Sequence, residues 1–136
     1  MSRANFLYIV VVGLAAFAFS LAWYSPLLFG GVWQSHSNAS ISSSANWKFV
    51  LMPLREIVTA FTVAFLIYQL PSMSWRNASL LAAVLWFGFY VVQLAGAVLW
   101  DNRPWQLSAV HAGDWLVKLQ IITISLSLLL RQPASQ

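Results

Sequence analysis

The chain of 136 residues contains no cysteine. Disulfides, thiol nucleophiles, thiolate metal sites and palmitoylation sites are therefore excluded. Charged residues are also scarce, at 7% against 60% hydrophobic residues, which leaves too little polar surface for a soluble domain. The seven lysines and arginines form no basic run, so nucleic-acid binding has no electrostatic basis. This composition predicts a protein that is surrounded mostly by lipid.

Two uncharged stretches are long enough to cross a bilayer by themselves. The first follows Arg3 and ends in the segment WYSP rather than at a small-x-small cleavage site. We therefore interpret it as a span and not as a signal peptide. The second runs from Ala78 to Trp100 without a charge. Both stretches predict transmembrane helices.

Two shorter apolar stretches reach the length of a span only if they include ionisable residues. One of them must take in Arg55 and Glu56, and the other must take in His111, Asp114 and Lys118. A charge near the centre of a bilayer costs about 2.5–3.5 kcal/mol on insertion scales. These side chains are therefore expected to face the interior, to pair with one another, or to extend outward.

The sequence predicts an all-α fold, an integral membrane four-helix bundle in a single transmembrane domain over residues 1–136. The predicted spans are 5–25, 49–70, 78–100 and 107–130, with a flexible serine-rich loop at 34–46. Four crossings place the end of span one, the start of span two, the end of span three and the start of span four at one membrane face, here called the polar face. All three acids and both histidines belong to it. The distribution of lysine and arginine favours both termini in the cytoplasm.

Three segments at the polar face resemble a known family. They are WYSPLLFG with a further Trp33, the RPW at 103–105, and HAGDWLV at 111–117. Together they resemble an uncharacterised family of small, mainly bacterial, four-helix membrane proteins, the domain of unknown function seventeen sixty-one. The resemblance covers almost the whole chain. It implies four spans and an important aromatic and polar face, and it implies no activity.

Ionisable residues of the second and fourth spans are expected to meet. His111, Asp114 and Lys118 are three and four residues apart, so they share one stripe of a helix. Arg55 and Glu56 lie at a similar depth on the second span. We predict one cluster of these five residues, with Arg55 paired to Asp114 and Glu56 paired to Lys118. A gap between Arg55 and Asp114 would instead indicate a binding site, with Arg55 as the anchor for an anion.

Aromatic residues gather near the same face, as in the aromatic belt at a membrane interface. The alternative is a cage for a quaternary ammonium group such as choline. Small residues on span one, Gly13, Ala16 and Ser20, predict a close helix contact. The candidate aromatic rim consists of Trp23, Tyr24, Trp100, Trp105 and Trp115.

The sequence favours a structural or accessory binding subunit in the lipid bilayer, as a homo-oligomer or within a larger membrane complex. It predicts no catalytic residue, cofactor or metal site and no nucleic-acid partner. An enzyme is disfavoured because no nucleophile elbow, paired-carboxylate motif or metal signature is present. One alternative is an oligomeric small-solute or proton-coupled transporter that uses Glu56. A further alternative is a lipid-head-group binding protein, or an enzyme in which Asp114 orients His111 as a base.

Overall fold

The computed structural model describes residues 3–37, 46–70 and 73–130, and every regular element in these ranges is helical. The third long helix of the molecule is continuous from Trp75 to Trp100 and consists of three consecutive segments. The elements are α1 (Arg3–Trp23), α2 (Gly30–His36), α3 (Asn46–Gln69), α4 (Trp75–Leu85), a π-helical segment (Trp86–Val91), α5 (Val92–Trp100) and α6 (Trp105–Leu129).

Four helices are long and apolar enough to cross a membrane. They cover Asn5–Trp23, Leu51–Gln69, Trp75–Trp100 and Trp105–Leu129, close to the four predicted spans. The third begins three residues earlier than predicted, because the Ser74 hydroxyl accepts a hydrogen bond from the Asn77 amide at 3.3 Å and caps the helix.

The segment predicted as a flexible loop at 34–46 is shorter than expected. Residues 34–36 form the end of α2, which closes with the Ser37 amide donating to the Trp33 carbonyl at 2.9 Å. Asn46 already belongs to α3. The remaining residues of this loop, 38–45, lie outside the described ranges.

Helices α1, α3 and α6 pack against one another, whereas the third long helix packs mainly on α6. At the contact of α1 with α3, a Cβ added to Gly13 would lie 2.9 Å from the Ile57 Cα. Only glycine allows the two backbones to approach this closely. The predicted close contact of span one is confirmed at Gly13, and its partner is α3 of the same chain.

The third long helix contains the π-helical segment Trp86–Val91, which the sequence analysis did not predict. Two of its aromatic side chains face α6. The Trp86 indole donates to the Ala112 carbonyl at 2.8 Å, and the Tyr90 ring lies 4.8 Å from the Trp115 ring between centroids. The wider π turn therefore coincides with the place where this helix attaches to α6, as π-bulges often do near functional residues.

Candidate functional site: an ionic cluster beside a pocket

The segment after α1 reverses the chain through a tight turn. The Ser25 carbonyl accepts hydrogen bonds from the amides of Leu28 and Gly30, at 3.1 and 3.0 Å. A Cβ on Gly30 would lie 2.5 Å from the Tyr24 carbonyl oxygen, so only glycine fits there. The turn starts α2 and places the Trp33 ring at 6.1 Å from the Tyr24 ring, edge to face.

The HAGDW segment of α6 packs directly against this turn. A Cβ on Gly113 would lie 2.7 Å from Cζ2 of Trp23, so glycine makes room for the indole ring. The Trp23 indole also donates to the Val110 carbonyl at 3.1 Å. The two sequence segments that are most distinctive at the polar face therefore form one contact.

Three charged side chains are almost completely buried between α3 and α6. Glu56 and Lys118 are 0% exposed, and Asp114 is 1% exposed. The Lys118 Nζ lies 2.9 Å from Glu56 Oε1 and 2.8 Å from Asp114 Oδ2, so one lysine bridges two carboxylates. The predicted pair of Glu56 and Lys118 is confirmed, and so is the inward direction of the α6 stripe at Asp114 and Lys118.

The predicted pair of Arg55 and Asp114 was wrong. Arg55 instead donates to Oε1 of its neighbour Glu56, from Nη2 at 2.7 Å and from Nε at 3.1 Å. Consecutive residues of a helix point about 100° apart, so Glu56 faces the interior while the Arg55 side chain stays 56% exposed and folds back. Asp114 is satisfied along its own helix by Lys118, four residues later.

Glu56 uses its two carboxylate oxygens unequally. Oε1 accepts from both Arg55 and Lys118, whereas Oε2 is buried and has no hydrogen-bond partner within the described ranges. A buried acceptor without a donor costs free energy. Glu56 is therefore the polar group of the cluster with an unused hydrogen-bonding position.

Asp114 links the ionic cluster to α1. Its Oδ1 accepts from the Ser20 hydroxyl at 2.8 Å, and its Oδ2 lies 3.5 Å from the Tyr24 hydroxyl. The same Tyr24 hydroxyl is 2.6 Å from Nδ1 of His111. Tyr24 thus stands between His111 and Asp114, rather than Asp114 orienting His111 directly as the enzyme hypothesis required.

A pocket of about 300 Å³ opens next to the cluster. Arg55 and Asp114 both line it, and each of them has its ion pair elsewhere, with Glu56 and with Lys118. Side chains from α1, α2, α3 and α6 form its walls, together with Tyr24 from the turn after α1. They are Phe17, Ser20, Leu21, Tyr24, Trp33, Met52, Arg55, His111, Asp114 and Trp115.

The structure divides the candidate aromatic rim. Trp100 and Trp105 are 77% and 66% exposed, as expected for an interface belt. Trp23, Tyr24 and Trp115 face inward instead. Two cationic side chains lie near the Trp115 ring, with Lys118 Nζ at 4.2 Å and Arg55 Cζ at 5.3 Å from its centroid.

Five residues of the pocket lining were not predicted as site residues, namely Phe17, Ser20, Leu21, Trp33 and Met52. Ser20 was interpreted only as a small packing residue, although its hydroxyl also donates to Asp114. Trp33 reaches the pocket because α2 follows the Gly30 turn. The segment WYSPLLFG before Trp33 was the available signal for Trp33, but the sequence does not reveal that the chain turns back there. Among residues 3–37, 46–70 and 73–130, no group of three His, Asp or Glu side chains could hold a metal ion.

The fold and the site define a class: an all-helical protein with four helices apolar enough to span a membrane, and a buried ionic cluster beside a pocket. Residues 7–127 match the family model described as Protein of unknown function (DUF1761), and the chain belongs to that family. No curated protein and no solved structure matches the chain.

Proposed function

We propose that this protein is an integral membrane four-helix bundle that acts as an accessory binding subunit, and that the pocket beside Arg55 is its binding site. The observation that carries the proposal is the pocket of about 300 Å³ that Arg55 and Asp114 both line. Its volume lies at the lower end of the range of about 300–1,000 Å³ for small-molecule sites, and it combines apolar walls with a few polar groups, as such sites do.

Two features support a binding function over a purely structural one. Tight packing would leave no such cavity beside a buried ionic cluster, because polar helices can satisfy one another without a void. The Arg55 side chain is also 56% exposed, so it keeps a surface for contacts outside the bundle. A lipid-head-group binding protein, one of the alternatives above, is the variant of this proposal in which the ligand comes from the membrane.

The bilayer is the proposed environment, in a bacterial inner membrane with both termini in the cytoplasm. Reporter fusions at Gln136 and between Ser37 and Ser44 are expected to report opposite sides of the membrane, because an odd number of spans separates these positions. A fusion pair that reports the same side would contradict four spans. If the fusion at Gln136 reports the outer side and the loop fusion reports the cytoplasm, four spans are still supported, but the orientation is the reverse of the one proposed.

Assembly as a homo-oligomer or within a larger membrane complex is part of the same proposal. It is supported by an apolar groove of about 250 Å³ between α3 and the third long helix, which includes Thr62 and Phe89. The third long helix is also the least buried of the four. The mass of the protein in lipid nanodiscs measures its assembly state, and a monomer alone would contradict this part.

Occluding the pocket should abolish binding. Met52 lines the pocket and is 46% exposed, so Met52→Trp is expected to fill the cavity without opening the core. Leu54→Trp is the matched control, because Leu54 is 49% exposed on the same helix and lies outside the pocket lining. Native mass spectrometry of protein released from nanodiscs measures the bound small molecules.

The expected result is a bound molecule in wild type and Leu54→Trp that is lost in Met52→Trp. If wild type and both variants carry the same molecules in the same amounts, or none, the pocket is not a binding site and the proposal fails. Thermal unfolding of the three proteins separates loss of binding from loss of fold.

One observation favours the proton-coupled transporter as a second candidate function. The unpartnered Oε2 of Glu56 is a position where a proton can reside inside the bundle. Under this alternative Glu56 exchanges a proton as solute enters the pocket. The Glu56 variants in the Discussion separate this alternative from a passive cluster.

A further inference from the structure

The charged groups that line the pocket differ in how much of their hydrogen-bonding capacity remains. Both oxygens of Asp114 are already engaged, because Oδ1 accepts from the Ser20 hydroxyl and Oδ2 forms an ion pair with Lys118. Arg55 has five N–H donors, and within the described ranges two of them are engaged, both with Glu56. Arg55 is therefore the pocket's free ionic contact, and it is a cation.

The Trp115 ring does not offer a site for a further cation. A cage for quaternary ammonium needs open ring faces. Lys118 and Arg55 already lie over Trp115 at 4.2 and 5.3 Å, and the ring of Tyr90 lies 4.8 Å away. A cationic head group placed beside Trp115 would meet two positive charges, which disfavours the choline cage considered for these tryptophans.

Part of the exposed wall of the pocket is apolar. Leu21 and Met52 line it and are 58% and 46% exposed. Both belong to helices that are long and apolar enough to span a membrane. A ligand held by Arg55 beside these side chains can keep its apolar part in contact with them, whereas a fully hydrated small anion gains nothing from this wall.

We infer that the pocket binds an amphiphilic anion, a carboxylate or phosphate group on an apolar chain, with the anionic group on the free donors of Arg55. This inference rests on the proposed binding function and specifies its ligand class. The planar guanidinium suits both groups, because it presents paired donors to two oxygens at once. Glu56 holds the other edge of the guanidinium and fixes its direction. The anion belongs either to a membrane lipid or to a free amphiphile.

Four probes with the same chain test the ligand class in nanodiscs of phosphatidylcholine: decanoate, decyl phosphate, decyltrimethylammonium and decanol. Decanoate and decyl phosphate are expected to raise the thermal unfolding temperature in a saturable way, and the other two are not. In Arg55→Gln the affinity for both anions is expected to fall about tenfold or more. Arg55→Lys keeps the positive charge but lacks the paired donors of the planar guanidinium, so it should lose part of the affinity for both anions.

Arg76→Gln is the matched control, since Arg76 is exposed near the start of the third long helix and stacks on Trp75 at 5.5 Å. It should bind the anions like wild type. Equal losses in Arg55→Gln and Arg76→Gln would indicate surface attraction only and would overturn the inference. Stabilisation by the cationic or neutral probe that Met52→Trp abolishes would also overturn it, while the binding pocket itself stands. If no probe binds and no molecule co-purifies, both proposals fail.

A competition arm identifies the source of the anion. Phosphatidylglycerol added to the nanodiscs is expected to displace decanoate if the pocket takes a membrane lipid. If phosphatidylglycerol leaves decanoate binding unchanged, the ligand is a free amphiphile that carries the same group. Both outcomes support the anionic class, and displacement by inorganic phosphate alone would contradict the need for an apolar chain.

Discussion

Lys118→Met is expected to lower the free energy of unfolding by about 3–5 kcal/mol, which is the usual cost of removing one side of a buried ion pair. Lys118 bridges Glu56 and Asp114, and all three side chains are at most 1% exposed. Its loss leaves Glu56 with Arg55, and it leaves the Asp114 carboxylate with the neutral donors Ser20 and Tyr24. Reversible unfolding in mixed micelles measures the change.

A second substitution shows which carboxylate is left without a cationic partner. Adding Asp114→Asn to Lys118→Met removes the uncompensated negative charge, so the double variant is expected to recover about 1 kcal/mol or more relative to additive losses. Arg76→Met, at an exposed site, is the control and should change stability by less than about 0.5 kcal/mol. Strictly additive losses would contradict a lysine shared by two carboxylates.

Glu56→Gln alone is expected to cost less, about 1–3 kcal/mol, because Lys118 keeps Asp114 as an anionic partner at 2.8 Å. The double variant Glu56→Gln with Asp114→Asn leaves Lys118 buried without any anion. Its loss should therefore exceed the sum of the two single losses by about 0.5–3 kcal/mol. Thermodynamic coupling measured in this double-mutant cycle is the direct signature of the shared lysine.

The same single variant tests the transporter alternative. If Glu56 carries protons, Glu56→Gln should unfold like wild type and should abolish pH-dependent solute uptake into liposomes. If Glu56 serves only the ion cluster, stability falls as above, and liposomes with wild-type protein show no proton-coupled uptake to lose. The first outcome would replace the accessory binding subunit as the function that we propose.

Two of the four long helices could be predicted from uncharged stretches of sufficient length, and the other two from shorter apolar stretches extended to the length of a span. The length of an apolar stretch carries no information about its backbone hydrogen-bond pattern, so the π-helical segment at Trp86–Val91 was not predicted. The short helix α2 was missed for a different reason. It depends on a turn in which Gly30 meets the Tyr24 carbonyl, and a hydropathy pattern carries no information about such a contact.

The ionisable residues of the site could be predicted from the sequence, but the pairs that they form could be predicted only in part. Helical spacing identified the stripe of Asp114 and Lys118, and matching depths identified the pair of Glu56 and Lys118. The depth of a charged residue along its helix could not show whether its ion-pair partner lies on the same helix or on a neighbouring one. Arg55 pairs with Glu56 beside it, Asp114 pairs with Lys118 one turn away, and both Arg55 and Asp114 line the pocket.

The central position of α6 has a consequence for biosynthesis. α1, α3 and the third long helix all pack on α6, yet α6 is the last of the four long helices to leave the ribosome. Until α6 has been made, Glu56 has Arg55 but not Lys118, and the indoles of Trp23 and Trp86 lack the carbonyls of Val110 and Ala112. The first three long helices are therefore an incomplete set, and the complete fold and its pocket require the last helix to be made.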